Sequence, residues 1–300
     1  MTPDPLKLGR TQDASLAAAT PGPSWALLKF FLLTYAVMWT CFFSVATMSA
    51  RTPGRGLLLL LGPFAPSLAA LWLTARADGS QGVRALLRRM LQWRVGARWY
   101  LFAIGYMAAI KLIVALLHRA ITGSWPQFGR ELPGVIFGAI VISAPFQAGE
   151  ELGWRGYALP RLVARFGVAR ASILLGLIWG CWHLPQFFIR EADTFGQSFF
   201  VYVAQVTALS VAMAWLWSRT NGSLLLPMLM HAAVNNSKDI VPSATPGATN
   251  LFGLNASLVA WLTVALMWTC AAYFLIRMSK TESQPDEGVM TDLRKDSTVV

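Results

Sequence analysis

Long apolar runs separated by short, arginine-bearing polar stretches dominate the pattern of this chain. Stretches of about twenty apolar residues are long enough to cross a bilayer as helices. By that measure the sequence predicts spans at Trp25–Met48, Gly56–Ala75, Trp99–Leu117, Pro133–Leu159, Ala171–Ile189, Ser198–Ser218, Ser223–Ile240 and Leu254–Ile276. The fourth is punctuated by Pro145 and Gly149 and then carries charge, and the seventh is short and polar at its end. The alternating segments of a transmembrane β-barrel do not occur. The expected fold is therefore all-α, a polytopic membrane protein with about eight transmembrane helices over residues 25–277. Residues 1–24 form a polar segment, and the Ser-, Thr-, Asp- and Glu-rich residues 278–300 read as a solvated, disordered tail. The first apolar run exceeds a signal-peptide core and reads as a retained span. No internal repeat is evident.

Composition sharpens this picture. The chain is 55% hydrophobic and 13% charged, whereas soluble domains carry about a quarter charged residues. The net charge of +11 does not point to nucleic acid, because the cations lie between apolar runs and not along one stripe. They report topology instead. Sixteen Lys and Arg fall on the side of the termini, most densely at Arg76, Arg84, Arg88, Arg89, Arg94 and Arg98. The opposite side has six: Arg51, Arg55, Arg119, Arg130, Arg190 and Lys238. Lys29, Lys111 and Arg155 lie within spans and complete the twenty-five. Positive charge is retained inside, so both termini are predicted to be cytoplasmic. Between the second and third spans, Val83, Leu86, Leu87, Met90 and Leu91 alternate with arginines at nearly helical spacing. This pattern predicts an amphipathic helix lying on the cytoplasmic leaflet, its arginines against lipid phosphate. Lys29 and Lys111 are placed near span ends, where their stems can snorkel. Cys41, Cys181 and Cys270 have no metal or redox spacing.

The residues that a bilayer penalises are few. Of fourteen acidic side chains only Glu150 and Glu151 fall well inside a span, joined by His183 and His231, with Asn235 one helical turn beyond His231. At 1.5 Å per residue, Glu150 lies about 13 Å from Leu159, His183 about 18 Å from Ala171 and His231 about 12 Å from Ser223. These similar depths allow the groups to meet at one level beneath the terminal, cytoplasmic face. A carboxylate in an apolar site suits general-base work on a water molecule, and Glu150 is the candidate. Glu151 and Arg155, four apart, can pair and neutralise one buried charge. His183 is placed to hold the water or a metal ion, and His231 with Asn235 to donate to an oxyanion. Two other classes share these residues: a transporter relaying protons or cations through them, and a membrane immunity protein that sequesters a peptide without cutting it.

The stretch Glu150-Glu151-Leu152-Gly153-Trp154-Arg155 resembles the EExxxR motif of the CAAX protease and bacteriocin-processing (Abi) family of intramembrane endopeptidases. Trp179 to His183 is similar to its aromatic-xxx-His motif, and His231 to Asn235 to its third, the set spanning residues 133–240. The resemblance implies eight helices around a conical cavity open to the cytoplasm. It implies peptide hydrolysis with Glu150 and His183 activating water, His231 and Asn235 holding the oxyanion, and Glu151 with Arg155 ordering the site. Family members are often labelled metalloproteases, which makes Glu150, His183 and His231 the candidate ligands of a divalent ion such as zinc. The sequence has no HExxH arrangement, and a metal-free mechanism fits equally. The implied partner is a membrane-associated peptide or protein, expected to be bacterial and not prenylated.

Overall fold

A computed structural model describes residues 24–243 and 250–282. The polar segment 1–23 and the tail beyond 282 lie outside the described residues. The helices are α1 (Ser24–Thr47), α2 (Arg55–Arg88), α3 (Ala97–Thr122), α4 (Pro133–Ser143), α5 (Ala148–Gly153), α6 (Leu159–Trp182), α7 (Phe199–Arg219), α8 (Leu225–Ser237) and α9 (Leu258–Glu282). No strand occurs among the described residues. Large apolar side chains such as Leu101, Ile142 and Leu132 are 70 to 75% exposed, as expected where lipid is the solvent. The protein is an all-α polytopic membrane protein.

Six helical stretches among the described residues are long and apolar enough to cross a membrane, fewer than the eight expected. The difference has two sources. The predicted fourth and fifth spans fall in one run, Pro133–Phe188, whose direction breaks at Gly167 (φ 74°, ψ 165°), a backbone conformation open to glycine alone. The predicted seventh span becomes α8, only 13 residues long. Residues 278–282, assigned to the tail, continue α9 instead.

The predicted surface helix is continuous with α2 and separated from its membrane portion by a break at Gly79 (φ 61°). Within it Leu86 is buried, while Leu87 and Leu91 are exposed. Arg89 does not face outward as expected. Its guanidinium donates to the carbonyls of Gly222 at 2.9 Å and Gly156 at 3.2 Å, and Leu224 N–H donates to the Arg89 carbonyl at 2.9 Å. These bonds lock the 220–224 turn to the Trp154–Ala158 turn ahead of α6 and define the end of the bundle where α1 begins and α9 finishes.

The run from Pro133 to Trp182 is irregular where the acidic pair sits. Pro145 forces a 3₁₀ turn over Ala144–Gln147, α5 follows, and Trp154–Ala158 form a π turn, the kind of insertion that often marks a functional stretch. Helix α2 supports this segment from behind. Ser67 donates to the carbonyl of Gly149 at 2.6 Å, and Gly153 lies against the Pro66 backbone. A β-carbon on Gly153 would stand 2.5 Å from the Pro66 carbonyl carbon and 2.6 Å from its oxygen. Backbone cannot yield as a flexible side chain can, so Gly153→Ala is expected to cost about 1–3 kcal/mol. Thermal unfolding of the detergent-purified variant measures this loss. On the far side α6 packs on α7 through small residues: Gly176 meets the Thr207 backbone and Ser210 donates to the Ser172 carbonyl at 2.9 Å.

Candidate active site

All the penalised residues of the sequence converge on one region. Glu151 is fully buried and accepts twice on one oxygen, from the Arg155 guanidinium at 2.9 Å and from Nδ1 of His231 at 2.8 Å. Because a carboxylate only accepts, His231 carries its proton on Nδ1, and its Nε2 is left for other partners. Arg155, also fully buried, rests over the indole of Trp179 at 4.1 Å, a cation–π contact strengthened by desolvation.

Glu150 belongs to a second pair. Its Oε2 accepts from the Trp179 indole N–H at 2.7 Å and lies 3.9 Å from Nε2 of His183. The His183 ring is fixed by Nδ1–H, which donates to the Trp179 carbonyl at 2.8 Å. In the neutral ring Nε2 is therefore an acceptor facing Glu150. A separation of 3.9 Å is too long for a direct bond and suits a bridging water. Helix α1 holds this corner: Trp39 donates to the Trp182 carbonyl at 3.2 Å, and the Trp182 indole returns a bond to the Thr34 carbonyl at 3.1 Å.

A cavity of about 740 Å³ joins these groups, lined by Glu150, Trp179, His183, His231 and Asn235 among others. Glu151 and Arg155 do not line it; they stand behind His231 and Trp179. Asn235 is exposed and its amide makes no hydrogen bond among the described residues, unlike Asn236, which donates to the Ser143 hydroxyl and the Ala232 carbonyl.

The rim of the cavity is formed by Arg55, Glu191, Asp193, Lys238 and Asp239. They are linked across loops by Arg55–Glu191 at 2.9 Å and Lys238–Asp193 at 2.6 Å. These loops follow α1, α6 and α8, at the end of the bundle opposite the Arg89 clamp and the ends of α1 and α9 that lead to the termini. The site is accordingly nearer that opposite end than the sequence depths implied. His183 caps the last turn of α6, and the helical run carrying Glu150 continues past Leu159 to Gly167. The charged rim and the helix ends that lead to the termini therefore lie at opposite ends of the bundle.

Two residues of the cavity carry roles that the sequence did not assign. Trp179 was placed as a motif aromatic, yet it bonds Glu150, covers Arg155 and touches the rings of His183 and His231 at centroid distances of 5.7 and 5.2 Å. Its position one helical turn before His183 is the signal that was available. Lys111 does not snorkel to an interface; it is 1% exposed and lines the cavity.

The candidate metal set does not fit. Glu150, His183 and His231 are not gathered as ligands, and among the described residues no group of three or more His, Cys, Asp or Glu is arranged to hold a metal ion.

Fold and site together define a polytopic membrane protein with one carboxylate and two imidazoles lining an internal cavity and a second carboxylate buried behind them. Residues 130–237 match the model of the Type II CAAX prenyl endopeptidase Rce1-like family, a stretch that contains all six candidate residues. CAAX prenyl protease 2 of Methanococcus maripaludis is 25% identical over 230 residues, covering 71% of this chain and 83% of that protein. Over that stretch the chain is similar to the CAAX protease and bacteriocin-processing family.

Proposed function

We propose that the protein is an intramembrane endopeptidase that hydrolyses a peptide bond of a membrane-associated peptide or protein. The observation that carries this reading is the approach of Glu150 to the acceptor nitrogen of His183 across 3.9 Å inside the cavity. A water in that gap gives one proton toward Glu150 and the other toward His183 Nε2, so its oxygen lone pair is free to attack the carbonyl carbon. Glu150 takes the proton as the C–O bond forms and returns it to the leaving nitrogen as the C–N bond breaks. Asn235 donates its amide N–H to the developing oxyanion. His231 donates from Nε2 when it also holds a proton on Nδ1, and the Glu151 carboxylate stabilises that charge. Arg155 and Trp179 hold Glu151 and Glu150 in place. No step passes through a metal ion.

The experiment that tests this reading is membrane proteomics of cells expressing wild type or Glu150→Ala. New peptide termini that vanish in the variant support hydrolysis, and identical terminus profiles refute it.

In the same reading residues 25–277 form the membrane domain, with the family core at about 133–240. The arginine-rich terminal end lies in the cytoplasm by the excess of Lys and Arg, and the cavity mouth opens on the opposite side of the membrane. A variant lacking Cys41, Cys181 and Cys270 but carrying Glu191→Cys is expected to react with a membrane-impermeant maleimide on intact cells. A cysteine at Arg84 is expected to react only after the cells are opened. The reverse pattern would place the mouth in the cytoplasm.

A further inference from the structure

The charges of the cavity do not all find partners within it. Arg55 pairs with Glu191 at 2.9 Å, and Lys238 pairs with Asp193 at 2.6 Å and Asp239 at 3.2 Å. Lys111 is different. It lies in the middle of α3, is 1% exposed, and donates only to neutral hydroxyls, Ser243 Oγ at 2.6 Å and Thr263 Oγ1 at 3.3 Å. Among the described residues no carboxylate comes within 4.0 Å of it. An ammonium has three donors, so two hydroxyls leave one N–H without a partner, and Asp239, itself bonded to Lys238 at 3.2 Å, acts on the charge only from beyond ion-pair range. A buried cation without a counter-ion is costly in a membrane helix, and a structural tie from α3 to α9 would need only a neutral side chain. The methionines one turn away, Met107 on α3 and Met267 beyond Thr263 on α9, line the same cavity.

We propose that Lys111 is a binding residue for a carboxylate of the peptide substrate, with Ser243 and Thr263 holding the ammonium in position to receive it. The carboxylate has two sources in a peptide, the free C-terminus and an acidic side chain. This inference deepens the peptidase reading and rests on it for the substrate being a peptide.

The test measures binding, so turnover does not enter it. Full-length Glu150→Gln protein in lipid nanodiscs is titrated with a fluorescently labelled alanine-leucine octapeptide in three forms: free C-terminal acid, C-terminal amide, and amide with one internal glutamate. A carboxylate-bearing form is expected to bind on the order of ten- to a hundredfold more tightly than the plain amide. Adding Lys111→Met is expected to abolish that preference while the plain amide binds as before. Preference for the free acid identifies the C-terminus, and preference for the internal glutamate identifies a side chain. Equal binding of all three forms, no saturable binding of either acid, or a preference that survives Lys111→Met would overturn the proposal. Lys111→Gln replaces the methionine variant if the latter is not recovered folded. Failure here leaves the proteomic comparison of Glu150→Ala untouched, so loss of this site and loss of the peptidase reading are separate results.

Discussion

Glu150→Gln is expected to lower peptide hydrolysis by about 10²- to 10⁴-fold, the contribution of a positioned general base, with little change in stability. The amide keeps an oxygen that can accept from the Trp179 indole, the bond that Glu150 makes at 2.7 Å, so the side chain holds its place. What it loses is the ability to take a proton from water. The Glu151, Arg155 and His231 cluster is untouched, since Glu150 shares no hydrogen bond with it. Rates on a fluorogenic peptide in proteoliposomes, read beside thermal unfolding of the same preparations, separate chemistry from folding. A variant that keeps its rate within about tenfold would remove Glu150 from the role of base and leave His183 to be tested in its place.

The acidic pair was legible in the sequence because a bilayer makes buried carboxylates conspicuous, and an i, i+4 arginine explained only one of them. The histidines and Asn235 were legible for the same reason. Their level in the membrane was not, since it depends on span ends: the run carrying Glu150 does not stop at Leu159 but turns at Gly167. Helix α3 likewise runs to Thr122, five residues past the predicted end at Leu117, which moves Lys111 from a snorkelling position to the interior. Arg89 read as one more cation of a basic surface helix, because the carbonyls it holds at Gly156 and Gly222 are distant in sequence and carry no side-chain signal. Trp179 was hidden among thirteen tryptophans, most of which need no explanation beyond packing or lipid contact. Carboxylates are rare in these spans and tryptophans common, and rarity is what one sequence can display.

Arg155→Ala is expected to cost about 3–5 kcal/mol of stability, because it leaves the Glu151 carboxylate buried with one remaining partner, His231. Arg155→Lys recovers only part of this. An ammonium cannot reproduce a planar guanidinium that donates to Glu151 at 2.9 Å while its central carbon stands 4.1 Å over the Trp179 ring. The double variant Glu151→Gln with Arg155→Met removes both charges and is expected to be more stable than either single change, a coupling that a double-mutant cycle on thermal unfolding quantifies. It should not regain activity. His231 would lose the carboxylate that accepts from Nδ1 and supports a second proton on the ring, although Glu150 and His183 remain in place. Recovery of both stability and turnover would mean that the buried ion pair is scaffolding alone, and that the oxyanion is held without help from a charged His231.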